Sequence, residues 1–279
     1  MVLFLPVLGM FCIWSIMNYL GTTPSLQLGL IFMSFVYFIY VINRYTDQKE
    51  DFTNDINKVL FFSQHKIMLY GGVAALTLSV LALSYSGRLY PFHFVLIGTG
   101  FLYSYKWIPW FHTRGGWRRI RLKDVPLMKN IFVSVLWGIS VFLFPILFSQ
   151  VQLQHPVLIG LLAGGLCLST FSNTLFDDIL DEVGDRLSGT ATLPTLMGSR
   201  FSYTLILSLT LTWIASLAGL MYFTVLDPAH GLFLIGLAFY PAVYIIPHLR
   251  GWWSHVATDF LMELDLFYFA SGLLLLTVL

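Results

Sequence analysis

Two short segments, residues 43–55 and 177–185, hold nine of the fourteen carboxylates of this chain, and the spacing of a cluster within each suggests chemistry. The first contains Asn43, Asp47 and Asp51, each four residues from the next. The second contains Asp178, Asp181 and Asp185, at intervals of three and four residues. Residues three or four apart lie on one face of a helix. Each cluster therefore predicts a ladder of oxygen ligands along one helical face.

A ladder of like charges needs a cation close by, because stacked carboxylates repel one another. Oxygen ligands with no His or Cys among them favour Mg²⁺ or Ca²⁺. Mg²⁺ typically binds one or two carboxylates and completes its coordination with water and phosphate oxygens. The alternative is that these acids are solvated and paired with nearby Lys and Arg. Two ladders facing one another across a cavity would suit Mg²⁺ ions that bridge one diphosphate.

The composition of the chain indicates which elements position the ladders. The 279 residues are 57% hydrophobic and only 10% charged, whereas soluble domains carry about 25% charged residues. The net charge is +1, so no global field attracts a polyanion. These values exclude a water-soluble globule, a disordered chain and a nucleic-acid binder, and they indicate helices in a membrane.

Nine apolar stretches are long enough to cross a bilayer, whose core of about 30 Å requires about 20 helical residues. They cover roughly residues 2–20, 25–45, 66–86, 91–108, 128–149, 156–180, 200–225, 229–248 and 260–279. We expect residues 1–279 to form a single all-α membrane domain of nine transmembrane helices around a central cavity. Asn173, Asp177 and Asp181 repeat the spacing of the first ladder, and this repeat indicates two related halves.

The basic residues predict the orientation of these helices. All Lys and Arg except Arg88 lie in or beside the even-numbered loops. The positive-inside rule makes those loops cytoplasmic. We therefore expect a multi-pass protein of the cell membrane with its N-terminus and both ladders on the cytoplasmic side. Ladders at the ends of spans argue against a transporter, whose ion ligands tend to lie near the bilayer midplane.

Several short motifs accompany the two ladders. They are Leu102-Tyr103-Ser104, Arg121-Leu122-Lys123, Lys129-Asn130, Gly184-Asp185-Arg186, Thr192-Leu193-Pro194 and Gly198. With these motifs the sequence resembles the UbiA-type intramembrane prenyltransferase superfamily over nearly the whole chain. The resemblance implies a protein that binds an isoprenoid diphosphate through Mg²⁺ held by both Asp motifs. It also implies ionisation of the C–O bond and transfer of the allylic cation to an acceptor, usually an aromatic ring.

The resemblance further implies roles for individual residues. The first metal site would be formed by Asn43, Asp47 and Asp51. The second metal site would be formed by Asp178, Asp181 and Asp185. Residues in catalysis would be Asp47, Asp51, Asp181, Asp185 and Tyr103. The family's lysine that follows the tyrosine corresponds either to Lys123 or to Lys106.

Cations near the ladders are candidates for binding the departing diphosphate, since Lys and Arg stabilise departing phosphate oxygens. The best placed are Arg121, Lys123 and Lys129, whose alternative role is to set topology or contact lipid headgroups. Acids inside a membrane span usually face a cavity or a partner, and Glu263 and Asp265 begin the last span. Both acids could instead cap that helix or pair with Arg250. The remaining candidates are Asn173, Asp177, Lys58 and Lys106.

Two enzymatic functions fit these features. The first is an Mg²⁺-dependent membrane prenyltransferase that moves an isoprenoid chain from its diphosphate to a lipophilic, aromatic acceptor. The alternative is a terpene cyclase of the same superfamily, which would cyclise the isoprenoid without an acceptor. A non-enzymatic membrane protein that uses the ladders as a cation site is the third possibility. The expected partners are the isoprenoid diphosphate, a lipophilic acceptor and the lipid bilayer, without nucleic acid.

Overall fold

The structure is a computed structural model that describes residues 3–48, 52, 56–112, 116–153 and 155–278, apart from the side chains of residues 57, 58, 112, 118, 188, 255 and 256. Helices before the hairpin are α1 (Phe4–Tyr19), α2 (Leu26–Thr46), α3 (Ile56–Gln64), α4 (Ile67–Tyr85) and α5 (Pro91–Ser104). A hairpin of β1 (Ile108–His112) and β2 (Gly116–Ile120) and a 3-10 turn (Leu122–Asp124) follow. The later helices are α6 (Met128–Ser149), α7 (Pro156–Leu180), α8 (Glu182–Ser188), α9 (Leu193–Met197), α10 (Ser199–Tyr222), α11 (Pro228–Phe239), α12 (Ala242–Leu249), α13 (His255–Glu263) and α14 (Asp265–Leu276).

Each of the nine apolar stretches contains a described helix. Six helical segments have the length and apolar composition to cross a membrane, among the residues that the structure describes. They are Leu26–Thr46, Ile67–Tyr85, Met128–Ser149, Pro156–Leu180, Ser199–Tyr222 and Pro228–Leu249. The helices α1, α5 and α14, of 16, 14 and 12 residues, are shorter. The protein is thus a multi-pass, mainly helical membrane protein, and the count of nine spans stays a prediction.

The bundle closes because its first and last helices are neighbours. Helix α1 packs between α2 and α14, and α6 packs along α7. A side chain at Gly138 of α6 would collide with Cys167 of α7 and would lie 2.9 Å from the Ala163 carbonyl oxygen. Small residues allow this close approach, which membrane helices use because lipid provides little hydrophobic drive for association. The tight pairing holds the beginning of α6 beside the end of α7.

The two-stranded hairpin was not expected from the sequence, which predicted only helices. Its strands are antiparallel, with Ile108 opposite Ile120 and Trp110 opposite Arg118. Aromatic and β-branched residues favour extended strands, and they dominate this connection. Because the strands are antiparallel, the hairpin returns the chain to the end of α5, where the segment with Arg121 begins.

Candidate active site

Both acidic ladders lie at the carboxyl ends of long helices. Asp47 is the residue that ends α2, and Asp181 is the residue that ends α7. The helix dipole places partial negative charge at this end, so a carboxylate there is unfavourable unless a cation compensates. Neither helix has a basic residue beyond Arg44 in its last turn. The compensating cations therefore come from elsewhere in the chain.

Asp47 receives two cations from the segment after the hairpin. The Lys123 ammonium contacts its carboxylate and donates to the Asn43 amide oxygen at 3.3 Å. The Arg121 guanidinium donates to the same Asp47 oxygen at 3.2 Å. All three charged side chains are buried. Oxygens of Asn43 and Asp47 thus both contact the Lys123 ammonium. The sequence predicts that the oxygens of this ladder bind a cation.

Arg121 is held in place by Asp124. Its Nε and Nη2 atoms donate to Asp124 Oδ1 at 2.8 and 2.6 Å, a two-pronged contact that fixes the plane of the guanidinium. Burial alone would raise the pKa of the Asp124 carboxyl, but hydrogen bonds from Arg121 outweigh it and lower that pKa below its usual range. The pair therefore contributes stability at neutral pH and loses it only as the pH falls through this lowered pKa.

Asp178 of the second ladder is bound by the first turn of α6. Lys129 Nζ lies 2.5 Å from Asp178 Oδ1, and Asn130 Nδ2 donates to Asp178 Oδ2 at 2.9 Å. Asp178 and Asn130 are almost completely buried, whereas the Lys129 side chain is 33% exposed. The ammonium of Lys129 thus lies at the boundary between the protein interior and the space outside it.

The remaining acids of the second ladder lie close to Asp178. Asp177 and Asp185 both interact electrostatically with Lys129, Asp178 and Asp181. Burial, with the neighbouring carboxylates, raises the pKa of the buried Asp185 carboxyl to about 6, despite the opposing effect of Lys129. The structure therefore brings the acids of this ladder into one strongly negative cluster.

Tyr103 lies near a carboxylate of each ladder. It is buried, and its ring stacks on Phe132 with centroids 5.7 Å apart. Lys123 Nζ lies 5.7 Å from the centroid of the Tyr103 ring. The phenol also interacts electrostatically with Asp47 and Asp178. Asp47, Asp178, Lys123 and Lys129 thus lie near one aromatic side chain at one end of the bundle.

The donors of the site suit a hard divalent cation, since carboxylate and amide oxygens are the ligands of Mg²⁺ and Ca²⁺. Among the described residues, however, no three of His, Cys, Asp and Glu already form a metal cluster. Asp51 lies outside the residues that the structure describes. In the present arrangement, lysine ammonium groups provide the positive charge at Asp47 and Asp178. The site has more carboxylates than these two lysines neutralise, which is consistent with the binding of additional cations.

The structure also locates several of the remaining candidate residues from the sequence. Lys106 is exposed, and Lys123 is the lysine that contacts Tyr103. The side chain of Lys58 lies outside the described part of the chain. Glu263 ends α13, one residue away from the start of α14. The structure thus favours Lys123 over Lys106 as the lysine next to the tyrosine.

Asn173 does not reproduce the contacts of Asn43. Its amide nitrogen donates to Asp265 Oδ2 at 3.1 Å, and its amide oxygen accepts from the Tyr244 hydroxyl. Ser169 donates to the same Asp265 oxygen at 2.7 Å. Ser169, Tyr244 and Asp265 are buried and Asn173 is partly buried. This network joins α7 to α12 and α14, so its members hold the second ladder in position.

Replacing Asp265 by alanine will destabilise the protein. The Ser169 hydroxyl would lose its acceptor, and the Asn173 amide would keep only the Met262 carbonyl of its two acceptors, at a cost of about 1–2 kcal/mol. Thermal unfolding of the purified protein in detergent measures the change as a lower Tm. The control is Asp227→Asn, a change at an exposed N-cap where asparagine caps equally well. Equal Tm values for the two variants would contradict a positioning role of Asp265.

A cavity of about 900 Å³ lies at the opposite end of the bundle. Its lining includes Tyr19, His155, Asp227 and His230, and no residue of the two ladders. The Tyr19 hydroxyl contacts His230 Nε2 at 2.9 Å, and His230 Nδ1 contacts Asp227 at 3.0 Å. This cavity is therefore separate from the candidate active site, and the central cavity expected from the sequence stays a prediction.

Two residues of the site were not singled out as ligands in the sequence. Asn130 binds Asp178, and Asp124 orients Arg121. A signal existed for both: Asn130 follows Lys129 in the first turn of a span, and Asp124 lies three residues after Arg121. Both act through contacts that depend on how separate helices meet, which spacing within one segment does not reveal.

The fold and the site define a multi-pass helical membrane protein with opposed carboxylates and cations at one end of its bundle. The profile of the UbiA prenyltransferase family matches residues 2–261, and the chain belongs to this family. A comparison with curated protein sequences finds no significant match.

Solved structures of UbiA homologues share the fold. The apo structure of a homologue from Aeropyrum pernix K1 superposes with a TM-score of 0.65 at 13% identity, covering 98% of both chains. A homologue from Archaeoglobus fulgidus bound to DMAPP and Mg²⁺ gives a TM-score of 0.59 at 15% identity, covering 98% of this chain and 96% of the other. A UbiA homologue from Archaeoglobus fulgidus bound to GPP and Mg²⁺ gives a TM-score of 0.60 at 14% identity, covering 98% of each chain.

Proposed function

We propose that this protein is an Mg²⁺-dependent prenyltransferase that moves an isoprenoid chain from its diphosphate to a lipophilic, aromatic acceptor. The observation that carries the proposal is that Asp47 and Asp178 both lie near enough to Tyr103 to interact with it electrostatically, and each contacts a lysine. Family membership supports the reaction type. The two Archaeoglobus fulgidus structures, bound to DMAPP or GPP and Mg²⁺, support the choice of donor and metal.

The carboxylates of the two ladders would hold the metal. The first set is Asn43, Asp47 and Asp51, and the second is Asp178, Asp181 and Asp185. When bound, Mg²⁺ neutralises the charge of the diphosphate and acts as a Lewis acid. The buried position of Asp47, Asp178 and Asp185 strengthens these electrostatic interactions, because the local dielectric is low.

The cations of the site would receive the diphosphate. Lys123, Arg121 and Lys129 carry the positive charge that stabilises the departing oxygens as the allylic C–O bond breaks. The electron pair of that bond leaves with the diphosphate, and the allylic carbon becomes cationic. An acceptor ring carbon then supplies the pair for the new C–C bond, and the ring loses a proton to the released diphosphate or to water. Asp124 keeps Arg121 oriented throughout.

Tyr103 would protect the cation during transfer. The face of an aromatic ring attracts positive charge through its quadrupole. The ring is buried, and the Lys123 ammonium lies 5.7 Å from its centroid. Movement of this ammonium onto the diphosphate would free the ring for the allylic cation. Burial also excludes water that would trap the allylic cation. We further infer that residues 1–279 act as one domain, with the ladders on the cytoplasmic side of the cell membrane, as the distribution of Lys and Arg indicates.

The reaction products distinguish a prenyltransferase from a terpene cyclase. Purified protein is incubated with Mg²⁺ and geranylgeranyl diphosphate, first alone and then with a set of lipophilic phenols. We expect slow hydrolysis alone and a prenylated phenol when acceptor is added, with both reactions abolished by EDTA and restored by Mg²⁺. A cyclic hydrocarbon formed without acceptor would instead show a terpene cyclase. Failure to release diphosphate under any of these conditions would contradict both enzymatic functions.

A further inference from the structure

The hairpin between α5 and α6 has one face that the rest of the protein leaves uncovered. Side chains alternate between two faces along a strand. Pro109 and Phe111 of β1 lie opposite Arg119 and Trp117 of β2, so these four residues share one face, called here the hairpin face. All four are exposed, Phe111 to 59% and Trp117 to 74%. The two aromatic rings contact each other edge to face, 5.7 Å apart.

The other face of the hairpin is covered only at its base. It carries Ile108 and Ile120, which lie opposite each other there and are partly buried, whereas Trp110 farther along the same face is 46% exposed. The protein therefore covers little of the hairpin. A two-stranded hairpin is marginally stable by itself in water. An exposed aromatic pair on such a hairpin thus indicates a surface that is covered by something outside the chain.

We propose that the hairpin face lies on the surface of the bilayer and binds anionic lipid headgroups there. The hairpin joins the end of α5 at Ser104 to the beginning of α6 at Met128, and α6 is long and apolar enough to cross a membrane, so it holds one end of the hairpin at the bilayer surface. A five-residue strand is about 16 Å long, whereas a headgroup layer is about 5–8 Å thick. Because the strands are longer than the layer is thick, the hairpin fits within the headgroup layer only if it lies along the bilayer surface.

The charge of this segment complements an anionic lipid surface. Lys106 and Arg119 are exposed, and the sequence adds Arg114 and Arg118 to the same connection. Asp124 is the only acid in residues 105–127, and Arg121 binds it. Each Lys or Arg near an anionic membrane surface contributes about 1 kcal/mol of attraction. Aromatic rings such as Trp117 prefer the headgroup level, because one end is apolar and the other polar.

A spin label on the hairpin face tests this contact. The variant Trp117→Cys, with Cys12→Ser and Cys167→Ser, is labelled with a nitroxide and placed in lipid discs of phosphatidylcholine with or without phosphatidylglycerol. We expect the label to be more accessible to oxygen than to a water-soluble nickel chelate when phosphatidylglycerol is present. We expect Arg119→Glu to shift the label toward water by about fivefold in population, and high salt to act in the same direction.

The matched control is Arg200→Glu, which reverses an exposed arginine at the start of α10, outside the hairpin. It should leave the label unchanged. A second label at position 111 keeps the test valid if the variant at position 117 does not fold. Greater accessibility to nickel than to oxygen in both lipid mixtures would overturn the proposal and would indicate a soluble partner instead. Oxygen accessibility that does not depend on phosphatidylglycerol would overturn the binding of anionic headgroups.

Discussion

Replacing either Asp47 or Asp178 by asparagine will reduce the release of diphosphate by at least about a hundredfold. Each carboxylate is buried beside cations at the carboxyl end of a helix. In the proposed site its negative charge binds Mg²⁺. Removing one preorganised electrostatic contact to a developing charge typically costs a factor of about 100 to 1,000. Asparagine keeps the size of the side chain and one oxygen, so the change tests the charge itself. Release of diphosphate from geranylgeranyl diphosphate measures the effect.

The control for these variants is Asp227→Asn, which removes one carboxylate at the opposite end of the bundle and keeps the helix cap. It should leave the rate unchanged. Loss of a partner for a buried cation can also destabilise a fold, so thermal unfolding of each variant is measured in parallel. Higher Mg²⁺ concentrations should recover part of the activity if the lost charge belongs to a metal site. Near-normal rates in both ladder variants would contradict the proposed site.

The apolar runs predicted the positions of the helices in the sequence better than their lengths. All nine predicted stretches contain a helix, but the stretch 229–248 is divided between α11 and α12 around Pro241. Proline lacks a backbone N–H and therefore interrupts helical hydrogen bonding. The stretch 260–279 is likewise divided at Leu264 between α13 and α14. Hydropathy records the apolar character of a segment and contains little information about such local breaks.

The spacing of the acids predicted one helical face for each ladder, but α7 ends before Asp181, and Asp185 lies in α8. The partners of the acids also depend on the tertiary fold. Tyr103 and Lys123 are far apart in sequence, which left Lys106 as an alternative. The hairpin brings the chain back, and Lys123 reaches both Tyr103 and Asp47. In the same way, the repeated spacing predicted similar roles for Asn43 and Asn173. A repeat of spacing does not determine which neighbour an amide meets, and Asn173 binds Asp265 instead.

The change Lys123→Met will weaken the binding of diphosphate and strengthen the binding of Mg²⁺ alone. The ammonium of Lys123 lies on the oxygens of Asn43 and Asp47, so it competes with a metal for the first ladder when no diphosphate is present. Methionine has a similar length without the charge. A hydrogen bond to a charged group contributes about 1.5–3 kcal/mol, which corresponds to about a 10- to 100-fold loss of diphosphate affinity.

A lower affinity for diphosphate together with a higher affinity for Mg²⁺ would show that Lys123 and the metal compete for the first ladder. A general loss of structure would instead lower both affinities. Calorimetric titration with Mg²⁺ alone and then with pyrophosphate in the presence of Mg²⁺ measures the two affinities. The matched control is Lys106→Met, which removes an exposed lysine from the same connection and should change neither affinity. A larger effect from Lys106→Met would assign the diphosphate to that lysine. Unchanged pyrophosphate affinity in Lys123→Met would mean that this lysine neutralises Asp47 without binding the substrate.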